Sequence, residues 1–170
     1  MKLYASKVPA ITSEVVKTLV SAGDIEVESH KEVEGDLESV LKQYLDVERI
    51  VSDKTKDLLE RTGRGSDDFN RVRSQIADTH GIKVGDEALD YLLDQCVHML
   101  MHSDNVDEVF AQDVDLRRHM VPVFKKYMGM DGDLDAEVRG QMKHLKEGTS
   151  NWDVEYSRVM EATKRKRGIS

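Results

Sequence analysis

One pattern occurs twice in the chain, as Val40-Leu41-Lys42-Gln43-Tyr44-Leu45 and as Val123-Phe124-Lys125-Lys126-Tyr127-Met128. Each copy has two apolar residues, a lysine, a polar residue, a tyrosine and a further apolar residue. Beyond each tyrosine, a glycine, a hydroxyl residue and an aromatic residue recur at the same spacing. They are Gly65, Ser66 and Phe69 in the first copy and Gly148, Thr149 and Trp152 in the second. Matching positions with short insertions between them are typical of a duplicated helical unit, so we predict an internal repeat.

The repeat divides the chain into two predicted units, residues 1–82 and 83–170. The first unit has 12 basic and 16 acidic residues and the second has 13 and 17, so each carries a net charge of -4. A unit of about 80 residues is near the size at which a hydrophobic core becomes marginal. We therefore expect the two units to share a core or to abut.

Apolar residues recur with helical spacing along the chain, and no segment shows the sustained alternation of a strand. The sequence therefore predicts an all-α protein of about eight helices, as two four-helix units. In the first unit we expect helices over about residues 6–22, 29–46, 50–61 and 66–80. In the second unit we expect a helix capped by Asp86, a helical region over about 107–128 that kinks or restarts at Pro122, a helix ending at Gly148, and a last helix opened by Ser150.

Composition and charge argue against several classes of protein. Charged residues make up 34% of the chain and the formal net charge is -8, which argues against a general nucleic-acid coat. The single cysteine, Cys96, excludes an internal disulfide bond. The first residues have no signal-peptide core, and no apolar run approaches the roughly 20 residues that span a bilayer. We expect a cytoplasmic protein with no membrane partner.

Both ends of the chain resemble a small bacterial family. The motifs that carry the resemblance are Met1-Lys2-Leu3 with Lys7-Val8 at the start, and Gly148-Thr149-Ser150-Asn151-Trp152, Tyr156 and Arg165-Lys166-Arg167-Gly168-Ile169 at the end. On these motifs the chain is similar to the domain-of-unknown-function family number five hundred and seven. Members of that family typically hold one copy of the unit, so the resemblance implies two tandem copies here. It implies no activity and no catalytic residues.

Two histidines have the spacing of a metal site. His98 and His102 stand four residues apart on one predicted helix, with Asp94 one turn before them. The aligned positions in the other unit are Lys17 and Ser21, which are ordinary solvent-facing residues. We therefore interpret the histidines as part of a polar helix face, and we expect no cofactor.

Four acidic residues alternate between Asp131 and Glu137, as at the start of a calcium-binding loop. Such a loop requires glycine at its sixth position and glutamate at its twelfth, where this chain has Ala136 and Met142. Acidic residues before a helix favour the positive end of its dipole. We interpret the cluster as helix capping.

Cys96 falls on an apolar helical stripe, which favours a buried structural thiol over a nucleophile. The segment Gly63-Arg64-Gly65 lacks the lysine and the length of a phosphate-binding loop. The carboxylates are numerous and lie on helix surfaces, so no pair stands out as acid and base. We therefore predict no catalytic site.

A basic run, Lys164-Arg165-Lys166-Arg167, ends the last predicted helix. Cations at a helix C-terminus interact favourably with the helix dipole, which gives the run a structural role. It could instead contact RNA, DNA or an acidic partner, together with Lys125, Lys126, Arg117 and Arg118.

The sequence as a whole predicts a non-enzymatic helical module that binds another protein or a second copy of itself. An apolar patch left over from the helical stripes would be its contact surface. Two alternatives stay open. One is a nucleic-acid-associated protein that uses the basic run, and the other is a metal-dependent enzyme around His98 and His102.

Overall fold

The structure, a computed structural model, describes residues 2–168, with the side chains of residues 130–133 left out of the description. Over this range the chain forms seven α-helices and two short strands. In chain order they are α1 (Val8–Ser21), β1 (Ile25–Val27), α2 (His30–Thr62), α3 (Phe69–Thr79), α4 (Ala88–His102), β2 (Val106–Val109), α5 (Asp113–Met128), α6 (Met130–Gln141) and α7 (Ser150–Lys166). The prediction of a mainly helical protein is therefore confirmed.

α1 matches the helix predicted over about residues 6–22 to within two residues at each end. Pro9 lies in its first turn, where a missing N–H leaves no helical bond unmade, and Thr12 donates its hydroxyl to the Pro9 carbonyl at 3.1 Å. The stripe that includes Ile11 and Leu19 is buried. Gly23, at φ +75°, adopts the left-handed conformation that ends the helix.

α2 is one continuous helix of 33 residues, so the predicted break between residues 46 and 50 is wrong. That stretch contains no glycine or proline, and nothing there stops helical hydrogen bonding. The helix begins after Ser29, whose hydroxyl accepts a hydrogen bond from the Glu32 N–H at 3.4 Å. It ends at Gly63, at φ +65°. The count of about eight helices is too high for this reason.

A two-stranded antiparallel ribbon corrects the expectation of a protein without strands. β1 pairs with β2 so that Ile25 faces Val109 and Glu26 faces Glu108. The strands have three and four residues, too few for alternation to stand out in the sequence. β2 also replaces the start of the helical region that we predicted from residue 107.

The core of the molecule is a four-helix arrangement in which α1 packs on α2 and α5, while α4 packs on the same two helices. One hydrophobic cluster fills it and draws on both halves of the chain, for example Leu19, Leu41, Leu92 and Phe124. The two halves therefore share one core. α3 packs on α2, and α6 and α7 form a hairpin with a small cluster of its own around Val138 and Val159.

Several boundaries in the second half differ from prediction. A 3-10 turn over Gly85–Glu87 precedes α4 in place of a side-chain cap by Asp86. Pro122 lies inside α5 without ending it, because the residue is exposed and the carbonyl that loses its helical bond can face water. α7 is capped by Thr149 rather than Ser150, since the Thr149 hydroxyl accepts from the Trp152 N–H at 3.2 Å.

The order helix–strand–helix occurs in both halves, as α1–β1–α2 and α4–β2–α5. Tyr44 and Tyr127 each lie on the helix that follows a strand. Their partners differ, because Tyr44 donates to the Lys83 carbonyl and Tyr127 donates to the Glu14 carboxylate. The duplication and the boundary at residue 82 stay predictions.

Candidate functional site

A cavity of about 320 Å³ lies between α2, α4 and the turn that follows α3. Residues three, four and seven apart share one face of a helix, which places Gln43 and Tyr44 of α2 opposite Tyr91, Gln95 and His98 of α4. The turn after α3 adds His80, Gly81 and Ile82. We call this space the tyrosine cavity.

The two tyrosine rings are 5.8 Å apart, centroid to centroid, and are tilted by 38°. Tyr44 is buried, and its hydroxyl donates to the Lys83 carbonyl at 2.9 Å. Burial raises the pKa of Tyr44, and the neighbouring Glu48 carboxylate adds to the effect. Burial also raises the pKa of Tyr91. Both phenols therefore stay protonated at neutral pH and can act as hydrogen-bond donors.

His80, in the wall of the tyrosine cavity, contacts Lys54, which lies outside that wall. Its Nε2 lies 3.1 Å from the Lys54 ammonium. An ammonium group can only donate, so Nε2 must accept this hydrogen bond. The contact fixes the orientation of the His80 ring at the cavity wall.

His98 and His102, the candidate metal pair, lie with 4.3 Å between ring centroids and with their rings tilted by 32°. His102 Nδ1 lies 2.8 Å from the His98 carbonyl, so that nitrogen is bonded to the backbone of its own helix. Asp94, the third candidate ligand, forms an ion pair with Arg117 instead. Within the described residues, no group of three or more His, Cys, Asp or Glu side chains is placed to hold a metal ion.

The acidic cluster between residues 131 and 137 lies inside α6, which corrects its interpretation as residues that precede a helix. Asp131 and Asp133 have side chains outside the described set. Asp135 accepts from the Tyr156 hydroxyl at 2.5 Å and from Arg139 at 3.0 Å, and these two donors hold its pKa below the ordinary value. The carboxylate is thus engaged within the α6–α7 hairpin.

The prediction of a buried thiol is confirmed. Cys96 is 1% exposed within the main core. Burial raises the pKa of its thiol to about 12, so the reactive thiolate is scarce at neutral pH.

Half of the eight basic residues singled out in the sequence contact carboxylates, among them Arg117, which pairs with Asp94. Lys126 lies 3.1 Å from Glu14, and Arg118 lies 2.7 Å from Asp115. Arg167 forms an ion pair with Glu137. The remaining members of the set, Lys125, Arg165 and Lys166, are exposed.

Lys164 lies in a different environment from the other three residues of the basic run. It lines a cavity of about 360 Å³ beside the N-terminal segment, together with Lys2, Lys56 and Arg49. Glu48 and Asp53 line the same cavity, so the charge there is mixed. The structure therefore does not bring the four residues of the basic run together on one surface.

The β-ribbon lies in a strongly acidic part of the molecule. We call residues 24–36 and 104–115, which contain the two strands, the ribbon end. The first segment has six acidic residues and one lysine, and the second has five acidic residues and no lysine or arginine. Each therefore carries a net charge of -5, and together they outweigh the -8 of the whole chain. Glu26 and Glu108 are directly opposed across the ribbon, and neither has a cationic partner within residues 2–168.

The ribbon end also exposes two large apolar side chains. Phe110 is 63% exposed and Val114 is 64% exposed, four residues further along the chain. Phe110 is fixed in place, because its N–H donates to the Asp24 carbonyl at 2.8 Å. The buried Asp24 carboxylate in turn lies 2.5 Å from His119 Nδ1 on α5. The backbone of Phe110 is therefore held in place while its side chain faces solvent.

Neither the tyrosine cavity nor the ribbon end was predicted as a site. The signal for the first was Tyr44 within the repeat, which we interpreted as a packing residue. The signal for the second was the density of acidic residues in two segments that are separated by 67 residues. The pairing of β1 with β2 and the hydrogen bonds beside it bring those segments together.

A family model described as Protein of unknown function (DUF507) matches residues 1–169. The match is a single span, so the family unit covers nearly the whole chain and the prediction of two tandem copies of that unit is not supported. No curated protein matches the sequence. Among the described residues, no helix has both the length and the apolar composition needed to cross a membrane.

Proposed function

The chain belongs to the DUF507 family, whose description assigns no activity, and on that premise we propose that it is a non-enzymatic protein-interaction module. Its contact surface is the ribbon end, and its partner is a basic segment of another cytoplasmic protein. The observation that carries the proposal is that Phe110, an exposed aromatic side chain, lies with the exposed Val114 in the acidic ribbon end. Exposed apolar side chains with a polar rim are typical of protein-binding surfaces.

The charge of the ribbon end supports a basic partner. Acidic residues directly opposed across a ribbon destabilise it, and Glu26 and Glu108 have this arrangement. A lysine or arginine of a partner placed between them would replace repulsion with attraction. Complementary charge would also speed association and select against acidic proteins.

The basic run provides less support for nucleic-acid binding. Arg167 is engaged by Glu137, and Lys126 is engaged by Glu14. Nucleic acid would have to displace these carboxylates, and the net charge of -8 would oppose its approach. We therefore favour the apolar and acidic ribbon end as the binding surface.

Site-specific photocrosslinking in the native cytoplasm tests the proposal. A photoreactive phenylalanine analogue replaces Phe110 in one variant and Val154 in a control variant. Val154, on α7, is 70% exposed and therefore matches Phe110 in accessibility. We expect position 110 to crosslink a discrete protein through a lysine- or arginine-rich peptide, and position 154 not to.

A second pair of variants tests the energetics with the identified partner. Phe110→Asp should weaken its binding at least about tenfold, since truncation of a central aromatic anchor often costs 2 kcal/mol or more. Val154→Asp should leave the affinity unchanged. Deletion of residues 164–170 should also leave it unchanged. Equal crosslinking at both positions, or a Phe110→Asp protein that binds normally, would refute the proposal.

A further inference from the structure

We infer that the tyrosine cavity is a binding site for an uncharged, planar heteroaromatic molecule of one or two rings. This site is distinct from the ribbon end, so the inference does not depend on the proposed partner. It rests on the charge of the cavity wall, on polar groups without partners, and on the aromatic surfaces that face the space.

The wall of the tyrosine cavity contains no Asp, Glu, Lys or Arg side chain among its described residues. In a chain with 34% charged residues, this is unusual for a surface opening. Each of the four other cavities described has charged residues in its wall, for example Glu14 and Lys17 on α1 or Asp86 and Glu87 before α4. A wall without charged side chains disfavours phosphates, carboxylates and ammonium groups, since no residue of the wall forms an ion pair to compensate their desolvation.

Several polar groups of this wall have no hydrogen-bond partner within residues 2–168. They are the side-chain amides of Gln43 and Gln95 and the hydroxyl of Tyr91. Each glutamine amide offers a donor and an acceptor side by side, the arrangement that proteins use to bind the edge of a nucleobase. Both glutamines come from facing helices, so their amides can reach a ligand from two sides.

The remaining wall provides flat and apolar surfaces. The rings of Tyr44 and Tyr91 lie 5.8 Å apart, and His80 and His98 contribute two imidazoles. Aromatic side chains favour stacking or tilted contact with another ring. A volume of about 320 Å³ is near the lower end of the range for small-molecule sites. It equals the volume of about ten water molecules, which suits a ligand of one or two rings.

Nuclear magnetic resonance of the full ¹⁵N-labelled chain tests the inference directly, because glutamine side-chain amides give their own signals. The probes are adenine, hypoxanthine and nicotinamide, with nicotinate as the charged analogue of nicotinamide. We expect at least one neutral probe to shift the side-chain signals of Gln43 and Gln95 with a Kd of about 1 mM or tighter. Nicotinate should bind at least about tenfold more weakly than nicotinamide.

Two variants and one control assign the binding to the tyrosine cavity. Gln95→Ala, on a helix that tolerates alanine, should raise the Kd of the probe about tenfold. Gln43 is exposed at the cavity wall, so the larger side chain of Gln43→Trp can block the cavity without disturbing the core, and this variant should abolish binding. Gln141→Ala removes an exposed glutamine at the end of α6 and should leave the Kd unchanged. The inference is overturned if no neutral probe shifts the cavity signals, if nicotinate binds as well as nicotinamide, or if Gln95→Ala and Gln43→Trp bind normally.

Discussion

Replacing Glu108 with lysine should stabilise the protein, because the ribbon places this residue directly opposite Glu26. Both side chains are exposed, and neither has a cationic partner in the described part of the chain. The substitution converts a repulsive cross-strand pair into an attractive one. Lysine keeps a long aliphatic stem, so contacts with the ribbon surface change little.

The expected gain follows from the spacing of the pair. Directly opposed residues in an antiparallel ribbon have Cβ atoms about 5 Å apart. Two unit charges at that separation repel by about 0.8 kcal/mol in bulk water, and physiological salt roughly halves this. Neutralising one charge should therefore raise the free energy of unfolding by about 0.5 kcal/mol, and reversing it by about 1 kcal/mol. For a chain of 170 residues, the latter corresponds to about 2–4 °C in Tm.

Urea unfolding of Glu26→Gln, Glu108→Gln and the double variant isolates the pair from changes in net charge. The cycle should give a repulsive coupling energy that is largest at low ionic strength and disappears in 0.5 M salt. Glu108→Lys should show the larger gain under the same conditions. If the cycle shows no coupling at low salt, or if Glu108→Lys unfolds at lower urea, the argument from the ribbon register is wrong.

Four further outcomes can be measured on the isolated protein. Trp152→Ala should lower the free energy of urea unfolding by about 1–2 kcal/mol, because the ring stacks on Tyr156. The loss should be smaller than for a fully buried tryptophan, because the ring is half-buried. Tyr44→Phe should destabilise by about 1–3 kcal/mol in the same assay, since a backbone carbonyl loses its donor. Cys96 should react with a thiol reagent at pH 8 only at the rate of unfolding, because its side chain is 1% exposed and a reagent cannot reach it in the folded protein. Tyr127→Phe should raise the pKa of Glu14 in an NMR titration, because the hydrogen bond from Tyr127 lowers that pKa in the folded protein. The stability that Glu14 contributes is therefore present above its unfolded pKa of about 4.5 and is lost as the pH falls through the folded value.

The fold could be predicted where local chemistry decides it. α1 has proline in its first turn, a buried stripe and glycine beyond its end, and each signal lies within one helical turn of its effect. α2 shows the opposite case. We predicted two helices with a break between residues 46 and 50, although no residue there prevents a helix, and α2 is continuous. Periodic apolar residues on both sides of residues 46–50 fit two short helices or one long one, and the absence of glycine and proline there favours one helix.

The candidate sites could not be predicted because they depend on contacts between distant segments. Glu26 and Glu108 are 82 residues apart and meet only through the ribbon register. Gln43 and Gln95 become neighbours only because α2 packs on α4. Each of these residues alone is an ordinary polar residue on a helix or strand, so the sequence offers no reason to single it out.

During synthesis of the protein, α1 must wait for a helix of the second half of the chain before its apolar face is fully buried. α1 packs on α2 and also on α5, so the buried stripe of α1 is not covered until Met128 has been made. At about 5–20 residues per second, the ribosome needs about 5–20 s to pass from the end of α1 to that point. During this interval the nascent chain carries an uncovered apolar surface. We expect its early helices to depend on chaperones that bind nascent chains, and we expect chains truncated before α5 to be degraded or to aggregate.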